Sequence, residues 1–252
     1  MNWLNDFYSK QYQWAKEKTD DLFDDLREDL VKRVKANAND HSNMILDLGS
    51  GLGQFAVASA KEGYDVTAVE LTEEGVRHTK QLAKEHKVGN HLHVLQENFY
   101  AINFKEPFDV VCYWDGFGIG SDEDQKQLLK RISSWLKPGG VALVDIYTPW
   151  YWAKTAGQSM GMGDIRRQYD FDAEECKMID TWWVDGEEDN QVTQYLRCYS
   201  PADLKLLLNE TDLVIETIIP GGAVDYENFQ YEEKVPLNQA MQYMVKLKKL
   251  AD

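Results

Sequence analysis

A short apolar run, Met44-Ile45-Leu46-Asp47-Leu48, leads straight into Gly49-Ser50-Gly51-Leu52-Gly53. No other feature constrains the chain as much. Three glycines in five residues let the backbone turn tightly and approach a ligand with no Cβ in the way. The run before them reads as a buried parallel strand. Residues 53–62 after them read as a helix whose free N–H groups face the turn. A second β-rich run, 65–71, carries Glu70 near its end, where a carboxylate can accept both vicinal hydroxyls of a ribose. Together these features point to an adenosine-containing cofactor at the carboxyl ends of parallel strands.

The glycine spacing alone leaves two cofactor classes open. Counted from Gly49, the sixth position of a dinucleotide fingerprint is Gln54. Counted from Gly51, the pattern is G-x-G-x-x-A, with Gly53 third and Ala56 sixth, which a dinucleotide tolerates. Asp47 tips the balance. A carboxylate two residues before the turn repels a pyrophosphate and suits the ammonium of a methionine-like group.

The rest of the chain alternates strand and helix from Met44 to Tyr147. Strands are expected at 91–96, 108–114 and 141–147. Thr72 caps a helix through 85. Ser121, with Asp124 three residues on, caps another that ends at Lys137 before Pro138-Gly139-Gly140. Before this block, residues 1–19 read as one or two short helices. Residues 20–36 read as an amphipathic helix with Leu22, Phe23, Leu26, Leu30, Val31 and Val34 on one face. After it, 148–199 break the rhythm, with two alternating segments at about 168–184 and 190–199. Ser200-Pro201-Ala202-Asp203 is a strong helix start, and 212–219 and 241–249 read as strands. The terminal VKLKKL reads as a sheet edge. The expected fold is α/β: a doubly wound, mostly parallel seven-stranded sheet with helices on both faces and an inserted antiparallel lid. The expected organisation is a helical cap over 1–43 and a cofactor domain over 44–252, with the lid at about 148–199.

The stretch 44–147 resembles the class I S-adenosylmethionine-dependent methyltransferases. ILDLGSGLG is similar to their first motif, FDVVCYWDGFG to their fourth-strand motif and LKRISSWLKPGGVALVD to the helix and strand that follow. The resemblance implies S-adenosylmethionine as cofactor and S-adenosylhomocysteine as product. It places Asp47, Gly49, Ser50, Gly51, Gly53, Glu70, Leu71, Asn98, Phe99 and Trp114 around that cofactor. Asn98 stands where the family often has an aspartate, and an amide can still bond the adenine amino group.

Catalytic and substrate residues are read from position. Asp115 lies at the carboxyl end of a strand, where ligands gather, and is the candidate to accept a proton or orient an amine; the bland alternative is a turn cap. Trp150 and Trp152 offer aromatic faces beside the lid, against a role in the lid's own core. Arg166-Arg167 can meet a substrate carboxylate, Arg166 being the candidate, against a pair of surface ion pairs. The five histidines show no ligand spacing, His41 being a weak base candidate, and Cys112, Cys176 and Cys198 form no metal or disulfide framework, so no metal is expected.

Charge narrows the acceptor. Lys and Arg total 27 against 43 Asp and Glu, a formal net charge of −16. Nucleic-acid binding relies on phosphate neutralisation, and anionic membranes are disfavoured in the same way. The expectation is a cytoplasmic enzyme moving a methyl group to nitrogen or oxygen of a small molecule, with no nucleic-acid or membrane partner. An RNA or protein methyltransferase, a nucleotide-dependent oxidoreductase and a non-catalytic S-adenosylmethionine-binding protein remain as alternatives.

Overall fold

In the computed structural model, residues 3–18, 25–226 and 230–250 are described. The strand β1 (Met44–Leu48) lies near the middle of a seven-stranded sheet. Parallel to it run β2 (Asp65–Glu70), β3 (Leu92–Gln96), β4 (Phe108–Phe117) and β5 (Leu136–Tyr147). The late strands β10 (Leu213–Pro220) and β13 (Gln242–Lys249) complete the order β10-β13-β5-β4-β1-β2-β3, with β13 antiparallel to both neighbours.

Period-two patterning assigns each strand's two faces to two helical layers. Val141 and Leu143 join Ile45, Val110 and Cys112 beneath α2 (Glu28–Asn37), α3 (Gln54–Lys61) and α4 (Glu73–Glu85). Ala142, Val144 and Ile146 point the other way, against α5 (Asp122–Trp135) and α7 (Pro201–Leu207). Burying both faces is what parallel strands require. The caps read from sequence hold: Thr72 Oγ1 accepts from Gly75 N, and Ser121 with Asp124 and Ser200 with Asp203 form complete capping boxes.

The N-terminal segment differs from the expectation. Residues Trp3–Lys18 form one helix, α1. The helix expected over 20–36 begins only at Glu28, where Glu28 and Asp29 fill its first turn and Arg27 forks onto Asp29 at 2.9 Å through two nitrogens. Leu26 packs on the core from the segment before the helix, while Leu22 and Phe23 lie outside the described residues. Helix α5 stops at Trp135 rather than Lys137. Proline disfavours helix in the residue before it, and Leu136 is already extended and pairs with Phe108.

Two strand expectations are also corrected. VKLKKL lies inside the sheet, not at its edge; Lys246 and Lys248 reach Glu216 on β10 at 2.6 and 3.6 Å. After the short helix α6 (Pro149–Lys154), the segment to 199 forms four antiparallel strands rather than two. They are β6 (Ser159–Met162), β7 (Ile165–Asp172), β8 (Lys177–Val184) and β9 (Val192–Arg197). The run 168–184 is broken because Asp172 Oδ1 accepts from the backbone N–H of Glu174 and Glu175, an Asx-type turn. A small ribbon, β11 (Ala223–Asp225) with β12 (Gln230–Glu232), follows β10. The inner face of the four-stranded sheet packs on α1 through Phe7 and Trp182.

Candidate active site

The turn after β1 takes the backbone conformation its glycines allow, with φ of +61°, +57° and +86° at Gly49, Gly51 and Gly53. At Gly53 a Cβ would stand 2.4 Å from Thr79 Oγ1, so α4 closes on the turn only because that Cβ is missing. Ser50 N donates to Val69 O at 3.0 Å, tying the turn to β2. The Ser50 hydroxyl is buried without a hydrogen-bond partner.

Glu70 closes the turn from the neighbouring strand. It is 4% exposed, and its two oxygens accept from Gly51 N at 2.9 Å and from Thr72 N and Oγ1 at 2.9 and 2.8 Å. Burial raises its pKa, and the Thr72 and Gly51 hydrogen bonds pull it back. A ribose diol at this carboxylate would share it with those chain donors. Leu71 follows, 40% exposed, an apolar surface at the end of β2.

Asp47 is the anomaly. It is 1% exposed, and neither oxygen has a hydrogen-bond partner. Burial, then the Glu70 charge, pushes its pKa well above the usual carboxylate range. A carboxylate buried without donors is costly, and the group that answers it best is a cation. The ammonium of a methionine moiety has that chemistry, so the residues present fit the cofactor that the glycine turn implies.

Asn98 is exposed and its Oδ1 accepts from Tyr100 N at 2.9 Å, closing an Asx turn. Phe99 packs on Tyr113, ring centroids 5.4 Å apart. Trp114 stands edge-on to Phe55 at 5.3 Å with its indole N–H buried and unpartnered. Asp115 has φ of +57° where β4 slips register against β5 between Tyr113 and Phe117. A left-handed non-glycine residue stores strain of the kind found at functional sites.

The substrate candidates divide. Trp150 is half-buried with its indole N–H unpartnered. Trp152 is buried and donates to Met241 O at 2.9 Å, which makes it part of the core shared with Tyr169 and Met178 of the four-stranded sheet. Arg166 pairs with Asp185 at 2.7 Å and bonds the carbonyls of Gly163 and Ile165, so it is held in its own hairpin.

Sequence reasoning missed a group of residues that the fold brings to the same place. Tyr12 of α1 sets its hydroxyl 3.3 Å from where a Gly51 Cβ would stand. Tyr8, one turn before it, has its ring 6.0 Å from that of Tyr12 and 5.2 Å from that of Phe7, and burial raises its phenol pKa. The i, i+4 spacing of Tyr8 and Tyr12 was the available signal. Asp145 was missed as well. It is an acid inside the apolar run VALVDIY, as Asp47 is inside MILDL, and it is 4% exposed with Oδ1 unpartnered.

This geometry coincides with a family. Residues 45–140 match the family model described as a methyltransferase domain. Over that stretch the chain is similar to methyltransferase domains. The ubiquinone biosynthesis O-methyltransferase of Rickettsia canadensis is 27% identical over 116 residues, 46% of this chain and 48% of that protein. The chain spans about half the length of the curated relatives it matches. The CcbJ methyltransferase of Streptomyces caelestis superposes with a TM-score of 0.71 over 88% of both chains at 20% identity. An S-adenosylmethionine-dependent methyltransferase from Clostridium acetobutylicum does so with the same score over 98% of this chain and all of that one, at 17% identity. At such identity these two show the methyltransferase fold. Among the described residues, no cluster of His, Cys, Asp and Glu could hold a metal, and no helix is long and apolar enough to cross a membrane.

Proposed function

We propose that the protein transfers a methyl group from S-adenosylmethionine to nitrogen or oxygen of a small molecule. The single observation that carries this is Asp47: a buried carboxylate with no donor, beside a glycine turn, within a methyltransferase domain. When bound, the cofactor supplies a methyl group on an already activated leaving group. What remains for the chain is positioning, which is worth several kcal/mol in aligned reactions, roughly 7–11 at best. In this reading Asp47 faces the cofactor ammonium and the turn at Gly49, Ser50, Gly51 and Gly53 takes its backbone. Glu70 holds the ribose, and Leu71, Asn98 and Phe99 border the adenine. Trp114 closes the methionine end, and Asp115 faces the acceptor.

The N-terminal helices serve as a cap and the segment 148–199 as the substrate lid. Ser9 Oγ donates to Glu74 at 3.0 Å and Lys10 Nζ to Asn190 Oδ1 at 2.8 Å, so α1 bridges α4 and the lid across the turn. The net charge of −16 favours a small acceptor over RNA.

The test is calorimetric titration with S-adenosylhomocysteine, NADH and NADPH, followed by transfer of labelled methyl to a metabolite panel and to bulk RNA. The expected result is binding of S-adenosylhomocysteine alone and label in a metabolite. Binding of a nicotinamide cofactor, or label only in RNA, would overturn the reading.

A further inference from the structure

Asp47 and Asp145 are the same anomaly found twice. Both are acids within apolar strands, both face the layer of α2 and α3, and both keep a buried oxygen without a hydrogen bond. They lie on β1 and β5, with β4 between them. Two strand spacings and a two-residue offset along the strands separate them by about 12 Å. One ammonium at Asp47 cannot also reach Asp145.

Charged groups surround Asp145 on several sides. Arg33 of α2 approaches at 3.9 Å, beyond hydrogen-bond length, and is itself half in solvent. Arg27 is forked onto Asp29. Burial raises the Asp145 pKa first and the Asp115 charge second, while Arg33 and Arg27 lower it and Asp29 raises it, leaving it at about 8. Register sets Asp115 beside it: Tyr113 pairs with Val144 and Phe117 with Ile146, so the irregular stretch of β4 that carries Asp115 lies against Asp145 on β5, with Asp115 exposed. The same Asp115 charge acts on Tyr147 of β5 and Tyr8 of α1. Tyr147 is half-buried, and beyond it the Trp150 indole N–H is unpartnered. Carboxylates backed by aromatic faces form the environment that holds an organic cation. A hydroxyl acceptor would bring no charge to offset the two acids, and its phenolate form would be repelled by them.

We propose that the acceptor is a small-molecule amine that enters as its ammonium ion, is held by Asp115 and gives up one proton to the Asp115–Asp145 carboxyl pair. This rests on the methyltransferase reading and narrows it. In the proton step an N–H bond breaks, an O–H bond forms on the carboxyl pair, and nitrogen keeps the electron pair it needs as a nucleophile. Asp115 touches the acceptor. Asp145 acts through Asp115 as a positioning residue and proton store.

Three probes of one shape test this: cyclohexylamine, cyclohexanol and cyclohexanecarboxylate. Each is titrated into the S-adenosylhomocysteine-saturated protein, with tryptophan fluorescence and calorimetry as readouts. The amine is expected to bind at least about ten-fold tighter than the alcohol, with the carboxylate weakest. The preference should grow as pH rises through about 8. In Asp115→Asn the preference should collapse to within about two-fold, and in Asp145→Asn the growth near pH 8 should vanish while weak amine binding persists. Each variant's melting curve and S-adenosylhomocysteine affinity confirm that it is folded. An amine that binds no better than the alcohol, the absence of all binding included, overturns the inference, as does a preference unchanged in both variants. Failure of S-adenosylhomocysteine to bind instead sinks the methyltransferase reading itself.

Discussion

Two regions of the molecule bury carboxylates and treat them in opposite ways. In the four-stranded antiparallel sheet, Asp180 is fully buried and saturated with donors. Arg167 grips both its oxygens at 3.3 and 2.7 Å, and the Trp182 indole and Gln194 amide donate to Oδ2 at 2.8 Å each. The Arg167 guanidinium also lies over the Trp182 ring at 4.1 Å. In the parallel sheet, Asp47 and Asp145 are as deeply buried and leave oxygens unanswered. A network that is complete within the chain holds structure. A buried acid left incomplete is a cost that a ligand can offset.

Breaking the complete network should have the largest effect. Asp180→Ala strands a buried guanidinium and should destabilise the protein by about 3–5 kcal/mol in denaturant melts. Replacing the pair together, as Arg167→Met with Asp180→Leu, should cost clearly less than Asp180→Ala alone. If the double variant is the worse of the two, Asp180 is not the saturated structural anchor described here.

The incomplete site should respond with the opposite balance. Asp47→Asn removes an acid that burial makes costly to ionise, so the melting temperature should hold or rise. The affinity for S-adenosylhomocysteine should fall about 10–100-fold, the loss of roughly 1.4–2.8 kcal/mol. Lost stability with unchanged affinity would place Asp47 with Asp180 rather than against it.

The smallest effect belongs to Asp145. Its folded pKa of about 8 lies above the ordinary carboxyl value, so the folded state holds a proton the unfolded state gives up. Its contribution to stability is full below about pH 4 and is lost as pH rises through about 8. Asp145→Asn cannot lose that proton and should melt higher than the parent above pH 8, by roughly 2–4 °C. Equal melting temperatures of parent and variant across that window would contradict the raised pKa.

The same contrast explains what could be read from the sequence. The parallel half was legible because short elements carry local signals. An apolar strand ran into glycines that only one turn geometry uses, and Thr72, Ser121 and Ser200 announced their helices through side-chain caps. The four-stranded antiparallel sheet was legible only as alternation. Nothing local in 168–184 marks the break except Asp172, whose role emerges when its oxygen accepts two backbone N–H groups. Arg166 and Arg167 read alike as an exposed pair, yet Arg167 turns inward, because adjacent strand residues face opposite sides and the inner face was not fixed by sequence. Trp152 read as a substrate wall and is a core residue. Tyr8, Tyr12 and Asp145 went unseen because their place in the site depends on α1 crossing the turn and on β5 lying two strands from β1, contacts between distant parts of the chain.

The central claim is that buried Asp47 waits for a cation. The most direct test counts protons on binding, by calorimetry with S-adenosylhomocysteine in buffers of different ionisation enthalpy, for the parent and for Asp47→Asn. Burial and then the Glu70 charge disfavour the ionised form of Asp47 in the free protein, and a facing ammonium favours it. The account predicts release of up to about one proton per ligand bound by the parent and none from that source in Asp47→Asn. Binding by the parent with no proton released, or with the same release in the variant, would contradict it.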